Sequence, residues 1–235
     1  MAGMSIPGAE SHFLPARRAL ADDVYEAVLV LLMDQVIEPG ARASIDGIAR
    51  QLDVSPTPVR EALARLESEG LVVKRALKGY TAAPLLDAEG LRKLFDMRRL
   101  LEPPAAGLAV ERMTPAVLER LERLSVDMAA SGAASMSGED HFTDYRDFAN
   151  QDAEFHRVIA EHAGNELLAD AIIRLRSHMH LYRLYFEHGI AEETSGEHAA
   201  VLAALRAGDA EAAQTAMLEH ISHSYSRIAK GVGEI

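Results

Sequence analysis

Apolar positions recur at helical spacing through most of the chain. Over residues 17–37, Val24, Ala27, Val28, Leu31 and Leu32 fall on one face and predict a helix, which Pro39-Gly40 ends. Ser44 is placed to cap a short helix carrying Ile45, Ile48, Ala49 and Leu52. Asp53-Val54-Ser55 predicts a turn. Ser55 or Thr57 then caps a second helix that runs to about Ser68, with Val59, Ala62, Leu63 and Leu66 as its apolar face. Pro56 and Pro58 fit this helix only because they lie near its start. Past Gly70 the pattern shortens: Leu71-Val72-Val73 reads as a strand, Ala76 to Gly79 as a turn and Tyr80 to Ala83 as the return strand.

Pro84 to Asp87 reads as a joint, and beyond it only helical spacing is found. Helices are expected near 88–112, 115–131, 142–163, 165–188, 194–207 and 209–230. Gly132 to Gly138 is small and polar and predicts a loop, while Gly164, Gly189 and Gly208 mark helix ends. The fold class is mainly α. An N-terminal winged helix-turn-helix with a small β-hairpin is expected over 17–83, and an all-α bundle of about six helices over 84–235. Residues 1–16 read as a disordered leader.

Composition narrows the functions open to such a chain. It holds 235 residues and no cysteine, which excludes disulfides, thiolate metal sites and thiol catalysis. The longest fully apolar run, Ala27 to Met33, is too short to span a bilayer, and residues 1–16 lack the basic and apolar regions of a signal peptide. No membrane association and a cytoplasmic location are expected. The net charge of −12 is unevenly placed. Residues 17–83 hold nine Lys/Arg against ten Asp/Glu, and residues 84–235 hold fifteen against twenty-five. Within 60–80, Arg60, Arg65, Lys74, Arg75 and Lys78 outnumber Glu61, Glu67 and Glu69. A local basic surface of this kind can meet DNA on an otherwise acidic body.

The segment Ser55-Pro56-Thr57-Pro58-Val59-Arg60-Glu61-Ala62-Leu63, followed by Leu66-Glu67-Ser68-Glu69-Gly70-Leu71-Val72, resembles the GntR family of bacterial transcription regulators. The resemblance implies that the second helix presents its N-terminal turn to the major groove of double-stranded DNA. The DNA-binding candidates are Ser55, Thr57, Arg60, Arg65, Lys78 and Gly79. Arg60 lies off the apolar face and can reach a guanine edge or a phosphate. Arg65 is either a phosphate contact or plain surface charge. Gly79, beside Lys78 at the hairpin tip, would let the backbone approach the minor groove. Pro56 and Asp46 stand where relatives carry arginine, so operator contacts there differ from theirs.

A second group of polar residues points inward. Asp152 and His156, four apart, share a face with Phe148, Phe155 and Ile159. His198 shares one with Val201, Leu202 and Leu205, and His220 with Met217, Ile221 and Ile228. One metal ion would satisfy all four groups. Three imidazoles and a carboxylate suit a divalent transition metal, Zn²⁺ or Ni²⁺ first, one per protomer. The pattern Asp152-x3-His156, Glu197-His198 and Glu219-His220, with Arg98-Arg99-Leu100-Leu101-Glu102-Pro103, Gly164-Asn165 and Gly208-Asp209, resembles the FCD effector domain of FadR-type GntR proteins, and the six-helix length resembles the VanR branch.

Arg98 falls on the stripe Leu91, Leu94, Phe95, Leu101, Ala105 and Leu108, and a buried arginine needs an anion. Its partner is an internal carboxylate, Asp152 or Glu102, or the carboxylate of an effector. Tyr182 and Arg174 are further candidates for the same pocket, and His223 for a neighbour of the metal site. The resemblance implies a homodimeric regulator, a repressor rather than an enzyme, controlled by a small organic acid. Three other readings of the cluster stay open: a metal-dependent hydrolase, a purely structural metal, and histidines bonded to one another without metal.

Overall fold

The computed structural model describes residues 15–76, 78–135, 142–175 and 191–232. The chain divides into two compact units, Met1–Ala83 and Pro84–Ile235. Among the described residues no helix is long and apolar enough to cross a membrane.

The first unit holds α1 (Pro15–Met33), β1 (Arg42–Ala43), α2 (Ile45–Gln51), α3 (Pro56–Ser68), β2 (Val72–Arg75) and β3 (Gly79–Ala82). Helix α1 ends at Met33, short of the expected residue 37. The chain turns back there, with Gln35 in the left-handed region and Ile37 N–H donating to Leu31 O. Ser44 caps α2 by accepting from Gly47 N–H at 3.2 Å. Ser55 takes the N-cap position of α3 with extended backbone, but its side chain makes no capping bond. A cap hydroxyl accepts from the second or third helical N–H, and Pro58 at the third position has none, which leaves Thr57 N–H as the one donor of the two. Thr57 lies inside the first turn.

Antiparallel β2 and β3 pair Val72 with Ala82 and Arg75 with Gly79, so the first hairpin strand runs two residues past the expected Val73. Strand β1, which the sequence pattern does not announce, pairs along the other edge of β3, giving the order β1-β3-β2. Val28, Leu32, Val59, Leu63, Leu66 and Leu71 form the fully buried centre of this unit. Tyr25 on α1 donates to Glu69 at 2.6 Å. The Arg65 guanidinium lies 3.8 Å over the Tyr25 ring and pairs with Asp22 and Glu69.

The second unit is helical: α4 (Ala88–Ala109), a 3₁₀ turn at Val110–Arg112, α5 (Pro115–Ser135), α6 (Phe142–Glu161), α7 (Glu166–Arg174), α8 (Ala191–Ala207) and α9 (Ala210–Val232). Asp87 caps α4 and Asn165 caps α7. Helix α5 runs on to Ser135, through part of the expected loop. Its Ala and Ser residues are compatible with helix, and the rest of that loop lies outside the described residues. The helix expected over 165–188 is described only as far as Arg174, and Gly189 and Tyr182 also lie outside the described residues. Helix α4 packs on α9, α5 on α6 and α8, and α8 on α9. The core contains Leu91, Phe95, Leu121, Met128, Phe155, Ile159, Val201 and Ile221. Leu108, expected on the inner stripe of α4, is instead exposed.

Candidate functional site

Three helices bring the inward polar residues to one point. Asp152 and His156 lie one turn apart on α6, His198 comes from α8 and His220 from α9. One ligand atom from each lies within 4.8 Å of the others. The Nε2 atom of His198 is 3.3 Å from Nε2 of His156, from Nε2 of His220 and from Oδ1 of Asp152. All three histidines are buried. All four sequence candidates therefore meet.

The outward ring nitrogens fix what the inward ones offer. Nδ1 of His156 lies 2.7 Å from Oε2 of Glu102, and Glu102 accepts from Arg98 Nε at 2.6 Å and Nη2 at 3.3 Å. Nδ1 of His220 lies 2.9 Å from Oε2 of Glu197. Glu197 also accepts from Arg227 at 2.6 and 2.9 Å and lies 3.2 Å from His223 Nδ1. Burial pushes the Glu102 carboxyl up, but Arg98 and His156 outweigh it and hold it well below the usual range. Burial acts the same way on Glu197, which Arg227 and His220 bring down to about 2. Both carboxylates are ionised and can only accept, so each facing Nδ1 carries the hydrogen. The Nε2 atoms of His156 and His220 then aim lone pairs at the centre. Burial lowers both imidazoles below their ordinary range, His220 to about 4, so they are neutral near pH 7. His198 is held from behind: its ring stacks on Phe155 at 4.4 Å, and its Nδ1 meets Met128 Sδ at 3.2 Å.

This donor set fits a divalent cation. Ligands about 2.0–2.1 Å from a tetrahedral Zn²⁺ lie about 3.3–3.4 Å from one another, and the three contacts of His198 match that spacing. Each Arg–Glu relay is neutral in sum. A divalent ion held by one carboxylate and three neutral imidazoles would leave the centre net positive.

Arg98, fully buried, is paired with Glu102, one of the two internal carboxylates expected for it. Its charge is still felt at His156 and His220. Arg174 is exposed beside Asp170 and does not join the centre. His223, exposed at its tip, reaches Glu197 rather than the centre. Sequence reasoning named Glu197 only as part of the Glu197-His198 pattern and missed Arg227. The available signal was spacing, since Arg227 is seven residues after His220 and shares its face.

On the first unit, Ser55, Thr57 and Arg60 are exposed together at the start of α3. Lys78 is exposed at the hairpin. Gly79 has φ +77° with open space where a Cβ would stand. Arg65 is not brought to this group: it lies near the other end of α3, engaged by Tyr25, Asp22 and Glu69.

Comparison with known proteins agrees with both units. Residues 20–81 match the family described as bacterial regulatory proteins, gntR family, and residues 93–223 match the FCD domain. The chain is 28% identical over 209 residues to the HTH-type transcriptional regulator LutR of Bacillus subtilis (strain 168), covering 80% of this chain and 91% of that one. It is 30% identical over 191 residues to the HTH-type transcriptional regulator McbR of Escherichia coli (strain K12), covering 78% and 80%. The solved structure of E. coli McbR/YncC superposes with a TM-score of 0.68 at 27% identity, covering 90% of this chain and 97% of that one. The family and these relatives are regulators, which sets aside the hydrolase reading of the cluster. The chain belongs to the GntR family of bacterial regulatory proteins, in the group that carries an FCD domain, and is a transcriptional regulator rather than an enzyme.

Proposed function

We propose that the protein is a homodimeric, cytoplasmic repressor whose hold on its operator is controlled by a small carboxylate bound at a metal centre. Each protomer would read one half-site through the exposed start of α3, with Ser55, Thr57 and Arg60 at the major groove and Lys78 and Gly79 at the minor groove. Arg65 would support the reading helix by holding it to α1. The observation that carries the effector reading is the convergence of Asp152, His156, His198 and His220 with the imidazole lone pairs already aimed inward.

One divalent transition metal per protomer, Zn²⁺ or Ni²⁺, would be held by these four residues, and when bound it supplies a Lewis-acidic contact for a carboxylate oxygen. The chain's own residues do the rest. Glu102 and Glu197 hold two imidazoles in orientation, Phe155 walls off one side, and Arg98 adds positive potential that favours an anionic effector. The same reading places the protein in the VanR-like branch.

Two measurements test this reading. Elemental analysis of the purified protein is expected to find a near-stoichiometric transition metal that is absent from the His198→Ala/His220→Ala double variant. Operator selection from random DNA is expected to return a pseudo-palindrome whose binding shifts with one of a panel of carboxylic acids. Binding without sequence preference, with and without acids, would remove the regulator mechanism. An operator-binding protein with no metal would remove only the metal-held effector.

A further inference from the structure

The three imidazoles of the centre are not backed alike. Nδ1 of His156 and Nδ1 of His220 each face an ionised carboxylate, 2.7 Å from Glu102 and 2.9 Å from Glu197. Nδ1 of His198 faces a sulfur, Sδ of Met128 on α5, at 3.2 Å. His198 and Met128 are both fully buried. A thioether carries no hydrogen and accepts only weakly, so it receives a hydrogen on Nδ1 without locking it there.

The centre pulls the other way. Nε2 of His198 lies 3.3 Å from Oδ1 of Asp152 and from the Nε2 atoms of His156 and His220, whose hydrogens are on Nδ1. With the His198 hydrogen on Nδ1 as well, three nitrogen lone pairs and a carboxylate oxygen would meet with no hydrogen between them. On Nε2 the same hydrogen gives the centre a donor aimed at a carboxylate, and such a charge-assisted bond is roughly twice as strong as one between neutral groups. A cation reverses the preference, because a ligating nitrogen must offer the lone pair that the hydrogen would occupy. The Phe155 ring, stacked on His198 at 4.4 Å and 18° from parallel, keeps the imidazole plane in place in either form.

We propose that His198 is a tautomeric switch and that Met128 is the positioning residue that receives its hydrogen when a metal is bound. Without metal, Nε2–H of His198 donates inward to Asp152. With metal, the hydrogen on Nε2 leaves to solvent and one from solvent joins Nδ1, where Met128 Sδ accepts it, so His198 stays neutral in both forms. A carboxylate in place of Met128 would fix the inward lone pair, as Glu102 and Glu197 do for their partners. The thioether leaves both forms within reach. The inference rests on the metal reading of the proposed function and adds how the fourth-helix ligand is prepared for the ion.

Heteronuclear NMR of the histidine side chains in the full chain tests it, recorded after chelation and again with Zn²⁺, with His198→Gln assigning the ring. His156 and His220 are expected to carry hydrogen on Nδ1 in both preparations. His198 is expected to carry it on Nε2 after chelation and on Nδ1 with Zn²⁺. Met128→Leu, close to methionine in volume, is expected to weaken Zn²⁺ binding by about tenfold or more and to leave the chelated spectrum unchanged. Met128→Gln, whose amide oxygen can accept, is expected to recover the affinity. Zn²⁺ binding with the His198 hydrogen on one and the same nitrogen in both preparations would overturn the switch and leave the metal reading standing. Met128→Leu with wild-type affinity would overturn the role of Met128. A wild type that binds neither Zn²⁺ nor Ni²⁺ would overturn the metal reading and this inference together.

Discussion

Glu102 sits between a guanidinium and an imidazole with no solvent to replace either. Its loss is therefore felt twice. Glu102→Ala leaves Arg98 buried without its anion, and a broken buried pair costs about 3–5 kcal/mol, measurable by urea unfolding. Glu102→Gln keeps the shape but loses the charge that holds His156 with its hydrogen on Nδ1. Metal affinity, read by competition with a chromophoric chelator, is expected to fall by about 10- to 100-fold. Glu197→Gln should fall less, because Glu197 and Arg227 are partly exposed and water can replace part of what is lost. In the other unit, Tyr25→Phe removes the hydroxyl that donates to Glu69, and a loss of about 1.5–3 kcal/mol is expected for a bond to a charged group. That the four candidate ligands point inward was legible from sequence, because periodicity alone sets which face of a helix is buried. The Glu197–Arg227–His220 relay was not, since it depends on how α8 lies against α9, and no single-helix pattern encodes a contact between helices.

Helix α3 shows how an element can be legible in existence and misread in detail. Its apolar face and its stop at Gly70 follow from spacing and a left-handed glycine. The capping bond did not, and Pro58 removes one of the two N–H groups that a capping hydroxyl can accept from. Ser55 and Thr57 thus face outward at the helix start with Arg60. If Arg60 reads a base, Arg60→Ala is expected to weaken operator binding by about 1–3 kcal/mol and relax preference at one position. If Lys78 at the minor groove meets a flanking phosphate, Lys78→Ala is expected to lower the salt slope of binding by about one. Both follow from fluorescence-anisotropy titrations at several salt concentrations. Strand β1 escaped the sequence reading because two residues cannot show a period, and α5 outran its expected end because alanine and serine fit either helix or loop.

At the scale of the whole molecule, the candidate metal ligands all lie in the second unit, and the DNA candidates all lie in the first. The division into a winged unit and a helical unit was readable because the apolar period changes at the hairpin and because Pro84 to Asp87 fits neither pattern. Removing bound metal with a chelator is expected to speed amide hydrogen exchange in α6, α8 and α9, with the amides of α1 and α3 unchanged. Uniform acceleration across both units would show instead that the centre governs the stability of the entire chain.

The ligands are also far apart along the chain: 42 residues separate His156 from His198, and 22 separate His198 from His220. An ion joining them would act as a reversible staple across two long loops. The entropy of closing such loops grows only with the logarithm of their length, so doubling either segment costs about 0.6 kcal/mol. Insertions between the ligand-bearing helices should therefore leave the quartet nearly intact, whereas a one-residue slip within α6, α8 or α9 would turn a ligand away by about 100°. Length in the connections is cheap for this centre, and phase along its helices is not.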